Sequence, residues 1–179
     1  AKLVVATNVN DILHRALTSG DYSAGTVTPT ATPSMDIQVS SNFERLLFDL
    51  AGRDGAAITG MMGEFDANRA MTIPADMLAG ARDLFASASI DGDAMALALR
   101  WAQERGGQVI DPHSAVGLAA ARALDIDADI PVVTLATAHP AKFREAVERA
   151  TGVRPPLPLG AMLCLRDCRT AAVQVDCFF

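Results

Sequence analysis

Apolar and polar residues occur along the chain in blocks that predict strands followed by helices. Residues 3–6 form a short apolar run typical of a buried parallel strand, and apolar positions at helical spacing follow over 10–17, up to Gly20. A second apolar run at 130–135 predicts another buried strand, followed by a turn at 137–140 and an amphipathic helix. This order predicts an α/β fold with a parallel sheet flanked by helices.

The middle of the chain predicts one long loop and four more helices. The segment 21–41 is rich in Thr, Pro, Ser and Gly, which predicts a loop rather than a helix. Ser41 and Glu44 then match the capping box at a helix start, with apolar residues at helical spacing after it. The other three helices are predicted over 74–86, over 93–105 with Asp93 as its N-cap, and over 112–124 with Asp111 as its N-cap.

The composition excludes several classes of function. The chain has 179 residues, half of them hydrophobic, so it can bury a core as one domain. Its 15 basic and 21 acidic residues give a formal net charge of -6 without a basic cluster, which argues against nucleic acid as a partner. No apolar run approaches the roughly 20 residues of a membrane span, and the first residues do not resemble a secretory signal. We therefore expect no membrane partner and a cytoplasmic protein.

All three cysteines lie near the end of the chain. Cys164, Cys168 and Cys177 have the spacing C-x3-C-x8-C, with no histidine nearby. This does not match a zinc pattern, so the sequence predicts neither a disulfide framework nor a metal site.

Parallel sheets bind ligands beyond the carboxyl ends of their strands. Two predicted loops have that position: 7–10 after the first strand and 137–139 after the last. We expect a ligand site there.

Four segments together resemble bacterial and fungal threonine synthases. They are ATNVNDIL at 6–13, PSMDIQVSSNFERLLFD at 33–49, DPHSAVG at 111–117 and ATAHPAKF at 136–143. The resemblance is to the C-terminal portion of these enzymes, and it implies the tryptophan-synthase-β type (fold type II) of pyridoxal-phosphate fold. It also implies the cofactor pyridoxal 5'-phosphate and the conversion of O-phospho-L-homoserine and water to L-threonine and phosphate.

The chain departs from this family in two ways. In the family, the lysine that forms the Schiff base and the glycine-rich phosphate loop lie upstream of the matching segments, whereas the only lysines here are Lys2 and Lys142. We therefore expect that this chain contains no catalytic residue and that its partner is the missing N-terminal portion of the enzyme. Alone, the chain is expected to be inactive and to self-associate. The resemblance covers 1–158; the tail 159–179 diverges and contains the cysteines, and a reading-frame shift near Leu159 is our hypothesis for that change.

Thr137 is the strongest candidate for cofactor binding. By resemblance, its hydroxyl hydrogen-bonds the pyridine nitrogen, and a neutral hydroxyl cannot keep that nitrogen protonated as a carboxylate would. The alternative is that Thr137 is a helix N-cap before Pro140. His139 could contact the cofactor or substrate, or be a solvated turn residue.

Three further candidates follow predicted strands or begin predicted helices. His113 lies in Asp-Pro-His-Ser at a helix start, where backbone N–H groups favour an anion, while its neighbours are interpreted as caps. The amides of Asn8 and Asn10 could reach a phosphate or carboxylate, or could form a polar turn that caps the next helix.

The long loop and the helix after it supply the remaining candidates for binding the substrate and its phosphate, since arginine, hydroxyl and amide donors suit that group. They are Ser34, Asp36, Asn42 and Arg45, with Ser40 and Ser41 beside them. The alternative for Arg45 is a solvated position on the helix surface.

Two other functions stay open at this point. One is another fold type II enzyme, such as a threonine or serine dehydratase. The other is a non-catalytic α/β module derived from this family that binds a partner or small ligand.

Overall fold

A computed structural model describes residues 2–124, 126–127 and 129–158. Strand β1 (Leu3–Thr7) pairs in parallel with β4 (Phe85–Ser89), with Leu3 opposite Phe85 and Thr7 opposite Ser89. A second, antiparallel pair joins β2 (Asp21–Ser23) to β3 (Ala70–Thr72). The predicted α/β class with a parallel sheet and flanking helices is confirmed, and the antiparallel pair adds to it.

Helices of very different length surround these strands. They are α1 (Ile12–Ser19), α2 (Phe43–Leu50), α3 (Gly55–Asn68), α4 (Ala75–Leu84), α5 (Gly92–Gly106), α6 (Pro112–Ala123) and α7 (Arg144–Thr151), with 3-10 turns at Pro33–Met35 and Pro140–Phe143. None of the helices in the described part of the chain is long and apolar enough to cross a membrane.

The buried apolar residues form two cores, one on each side of the parallel pair. The first centres on Tyr22, whose ring lies 5.2 Å from Phe43 and 4.9 Å from Phe65, centroid to centroid. The second is built from small and apolar residues of α5 and α6, including Leu99 and Val116. Alternate residues of β1 face the two cores, because successive side chains of a strand point to opposite faces: Val5 packs against the first and Ala6 against the second.

Several predicted helix boundaries need correction. Helix α4 ends at Leu84, and the residues after it form β4 because pairing with β1 overrides the helix preference of its alanines. The N-cap of α5 is Asp91, whose side chain accepts the Ala94 N–H; Asp93 lies in the first turn. The capping box at Ser41 does not form, because Asn42 occupies the N-cap of α2 without a side-chain bond.

The predicted start of α6 and the predicted end of α1 are confirmed. Helix α6 begins as expected, with Asp111 as its N-cap and Pro112 in the first turn. Helix α1 ends at Gly20, whose φ of 80° is the left-handed conformation that favours glycine. The predicted loop at 21–41 contains β2 and a 3-10 turn but is otherwise irregular.

The prediction of a buried strand at 130–135 is wrong for this structure. The segment pairs with no strand in the described part of the chain, and Val133 and Leu135 are 84% and 74% exposed. The segment packs against the preceding helix, since a Cβ on Gly117 of α6 would lie 3.2 Å from Thr134 Cγ2. The segment therefore crosses α6 on one side and turns apolar side chains outward on the other.

Candidate functional site

The two parallel strands end side by side, where α/β sheets commonly bind ligands. Ile90 N–H donates to the Thr7 carbonyl (2.9 Å), and Ser89 Oγ donates to the Asn8 carbonyl (3.1 Å). A cavity of about 250 Å³ opens beyond these ends. Its lining combines hydroxyl and amide groups with apolar side chains, among them Asn8, Thr30, Thr32, Ile90, Met95 and Val116.

Asn8 lies under this cavity and is only 3% exposed. Its Nδ2 lies 2.7 Å from Asp36 Oδ1, 2.9 Å from Thr32 Oγ1 and 3.0 Å from Thr30 Oγ1. Its Oδ1 accepts the backbone N–H of Asn10 at 2.8 Å. Both ends of the Asn8 amide are thus engaged within the protein.

Asn10 and Asp36 complete the same network. Asn10 Nδ2 donates to the Thr28 carbonyl (2.9 Å) and to Asp36 Oδ1 (3.0 Å), while its Oδ1 accepts the Thr28 N–H (2.8 Å). Asp36 also accepts the N–H and hydroxyl of Thr30 at 2.8 and 2.7 Å. These bonds fold the loop over residues 28–36 onto the end of β1.

The start of α6 is organised around a fully buried carboxylate. Asp111 is 0% exposed, and its Oδ1 accepts the backbone N–H of His113 (2.9 Å) and faces His113 Nδ1 (3.0 Å). Its Oδ2 accepts the N–H of Ser114 (3.3 Å) and also the Ser114 hydroxyl. Burial alone raises the pKa of Asp111, but these four bonds together outweigh burial and hold the pKa below its usual value. The carboxylate is therefore ionised at neutral pH.

His113 connects this carboxylate to the long loop. The ring is buried and lies 4.6 Å, centroid to centroid, from Phe143. Its Nε2 accepts the backbone N–H of Ser34 at 3.3 Å, so that nitrogen carries no proton and Nδ1 is the donor to Asp111. Both ring nitrogens of His113 are thus engaged within the protein.

Ser114 connects the carboxylate to the turn at Thr137. Ser114 Oγ accepts the Thr137 N–H at 2.9 Å, and the two hydroxyl oxygens lie 3.5 Å apart. Thr137 itself is exposed. The alternative that Thr137 caps the next helix is wrong, because His139 is that N-cap and its Nδ1 accepts the Ala141 N–H at 3.1 Å. His139 is exposed, with one ring nitrogen used for the cap.

The remaining candidates lie elsewhere or point outward. Arg45 is exposed on α2 and lines a separate, open cavity of about 650 Å³ between α2 and α3. Asn42 is an exposed N-cap residue, and Ser34 is exposed with its backbone N–H bonded to His113. The structure connects four segments through hydrogen bonds: the loop after β1, the long loop, the start of α6 and the Thr137 turn. Arg45 and Asn42 lie outside this network.

Sequence reasoning missed some members of this network. Thr30 and Thr32 anchor Asn8, and Ser114 was interpreted only as a cap although its hydroxyl also holds the Thr137 turn. The signal available was the Thr-x-Thr pair at 30 and 32 in the proline-containing loop, since threonines in loops commonly bond to nearby backbone groups.

The sequence matches the family model "Threonine synthase, C-terminal" over residues 114–170, which includes Ser114 and the Thr137 turn. A threonine synthase from Pseudomonas aeruginosa is 44% identical over 159 residues, which cover 88% of this chain and 34% of the relative. The chain is thus similar to the C-terminal part of threonine synthases. It spans about a third of the length of the curated relatives it matches.

Solved threonine synthases share its fold. The pyridoxal-phosphate-bound enzyme from Brucella melitensis superposes with a TM-score of 0.85 at 46% identity, covering 91% of this chain and 34% of that one. The yeast threonine synthase gives a TM-score of 0.79 at 37% identity, covering 83% and 33%. The fold is that of fold type II pyridoxal-phosphate enzymes. The tail 159–179 with its cysteines lies outside the described residues, so the proposed boundary at 158 stays a prediction.

Proposed function

We propose that the chain supplies one wall of the active site of a threonine synthase, which uses pyridoxal 5'-phosphate to convert O-phospho-L-homoserine and water to L-threonine and phosphate. The observation that carries the proposal is that Thr137 is exposed at a turn whose backbone N–H is bonded to Ser114 Oγ. The family match and the cofactor-bound relative support it.

The groups around Thr137 fit an unprotonated pyridine nitrogen. The carboxylate nearest in the network, Asp111, is fully buried beneath Ser114, and both its oxygens already accept hydrogen bonds. In the network formed by the described residues, no carboxylate is therefore available to keep a ring nitrogen protonated, whereas a hydroxyl can donate to a neutral one. When bound, the cofactor supplies an electron sink for the reacting carbon, and a neutral ring is a weaker sink than a protonated one.

The other residues divide into two groups under this proposal. The amides of Asn8 and Asn10 and the carboxylate of Asp36 are bonded to the protein, so we assign them to holding the loop that borders the site. Ser34 and His139 are exposed next to this network and keep donors available for the substrate and its phosphate. Asn42 and Arg45 are exposed outside the network, and we keep them as candidates for the substrate's phosphate. His113 positions the loop at Ser34 through its Nε2.

The proposal also includes a larger partner, the rest of the enzyme. Lys2 and Lys142 are exposed, and neither lies in a motif that resembles the family's cofactor lysine, so we place that lysine outside this chain. Apolar side chains at 130–135 and at the start of β1 are exposed, which supports docking against further protein. Alone, the chain is then inactive and prone to self-association.

The test is phosphate release from O-phospho-L-homoserine with saturating pyridoxal phosphate, using protein from a host that lacks threonine synthase. A fusion of the upstream two thirds of the Pseudomonas aeruginosa relative to this chain is expected to release phosphate and form threonine. The chain alone is expected to do neither. Robust release by the chain alone, persisting after replacement of Lys2 and Lys142, would refute the proposal.

A further inference from the structure

Polar groups of three residues, from two separate segments, are connected at the Thr137 turn. They are the carboxylate of Asp111, the hydroxyl of Ser114, and the N–H and hydroxyl of Thr137. Asp111 is fully buried and Ser114 nearly so, which means that water does not take part in the bonds between them. The directions of these bonds follow from counting the available protons.

The first bond has only one direction. An ionised carboxylate accepts hydrogen bonds and cannot donate, so the single proton of the Ser114 hydroxyl is donated to Asp111 Oδ2. Ser114 Oγ then has only lone pairs left. It uses one to accept the Thr137 N–H at 2.9 Å, so Ser114 has no proton to offer Thr137.

The Thr137 hydroxyl is left with a free proton. Its Oγ1 lies 3.5 Å from Ser114 Oγ, beyond the 2.5–3.0 Å of an ordinary O–H···O bond. It has no closer hydrogen-bond partner among residues 2–124, 126–127 and 129–158, and the residue is exposed. A ligand atom above the turn would therefore meet a hydroxyl that is ready to donate.

We infer that Asp111 is a positioning residue which, through Ser114, fixes Thr137 as a hydrogen-bond donor towards an acceptor on the bound ligand. This inference deepens the proposed function and rests on it for the identity of the acceptor, a neutral pyridine nitrogen. The direction of the protons is a property of the chain itself. If Asp111 were neutral and donated to Ser114, the Ser114 proton could turn to Thr137 Oγ1 instead.

Neutron diffraction from deuterium-exchanged crystals of the unliganded 179-residue chain tests this direction. The expected map has no deuteron on Asp111, a deuteron on Ser114 Oγ aimed at Asp111 Oδ2, and a deuteron on Thr137 Oγ1 directed away from Ser114. A deuteron on Ser114 Oγ aimed at Thr137, or one on Asp111 near neutral pH, would overturn the inference. No ligand is needed, so failure of the fusion to release phosphate would count against the proposed function alone.

A pH titration followed by NMR distinguishes a positioning role of Asp111 from a merely structural one. In the wild-type chain, the amide shift of Thr137 is expected to follow the ionisation of Asp111. This response is expected to be lost in Ser114→Ala and restored in Ser114→Thr, which keeps the hydroxyl. An undiminished response in Ser114→Ala would show that the influence of Asp111 bypasses Ser114, and would overturn the inference.

Discussion

The turn after β1 and the turn at Thr137 differ in how their polar groups are used. At the first, the amides of Asn8 and Asn10 are buried and bonded to the loop over residues 28–36. At the second, the backbone N–H of Thr137 donates to Ser114 Oγ, the residue is exposed, and its hydroxyl has no partner closer than 3.5 Å among the described residues. Both turns belong to segments that resemble the family.

The difference separates scaffold from ligand-facing groups. A side chain whose donors and acceptors are all engaged cannot bind a ligand without first losing those bonds, at a cost of about 1–3 kcal/mol for each group left unpaired. A hydroxyl held in place through its own backbone can bind at no such cost. Under the proposed function, the turn after β1, which we call the closed turn, supports the site, and the turn at Thr137, the open turn, contacts the ligand.

The largest effect is expected from removing the support beneath the open turn. Asp111→Ala deletes an N-cap and leaves several buried donors of His113 and Ser114 unpaired, so the free energy of unfolding should fall by about 2–5 kcal/mol. Urea denaturation measures this loss. Asp66→Ala, at an exposed position of α3, is the matched control and should stay within about 0.5 kcal/mol of wild type. Equal stability of the two variants would contradict the role of Asp111.

The closed turn is tested by Asn8→Ala. Loss of the amide leaves hydroxyl and carboxylate groups of the loop without their partner, so we expect about 1–3 kcal/mol of destabilisation and faster amide exchange at residues 28–36. Asn42→Ala removes an exposed amide that makes no cap bond and serves as the control. If both variants lost the same stability, the distinction between closed and exposed asparagines would fail.

A smaller effect is expected on acidification. The folded-state pKa of Asp111 is lowered, so its ionisation stabilises the fold above the unfolded-state pKa of about 3.9, and this contribution is lost as the pH falls through the folded-state pKa. Wild type should therefore lose more stability between pH 6 and pH 3 than Asp111→Asn, which cannot titrate there. Asp21, whose pKa is also lowered, titrates in both proteins and cancels in the comparison. Parallel pH profiles would show that Asp111 does not contribute.

The smallest effect on stability is expected at the open turn. Thr137→Val keeps the backbone N–H that bonds Ser114 and removes an exposed hydroxyl, so stability should change by less than about 0.5 kcal/mol. Thermal unfolding measures it. A loss comparable to that of Asn8→Ala would mean that Thr137 belongs to the scaffold.

The fold was predictable where local signals agreed. Asp111 before Pro112 predicts a helix start in the correct place, and Gly20 predicts the end of α1. Helix α3 was missed although Ile58, Met61, Met62 and Phe65 have helical spacing, because glycines interrupt the segment and glycine is a poor helix former.

Features that depend on distant partners were beyond the sequence. Strand β4 is a strand because β1 lies beside it, and the apolar run at 130–135 is exposed because burial depends on a facing surface that a local pattern does not specify. The candidate turns could be located from the sequence. Which of their polar groups are engaged depends on contacts between remote segments, such as Asn8 with Asp36 and Ser114 with Thr137.

The most direct measurement of the central claim is the turnover of Thr137→Val in the fusion with the upstream part of the Pseudomonas aeruginosa enzyme. Loss of one hydrogen bond to the ligand of about 0.5–1.5 kcal/mol predicts a fall in phosphate release from O-phospho-L-homoserine by roughly threefold to tenfold or more, with the fold intact. Thr137→Ser, which keeps the hydroxyl, should retain most of the rate. Unchanged turnover and unchanged cofactor affinity in Thr137→Val would contradict the assignment of Thr137 as the ligand-facing donor.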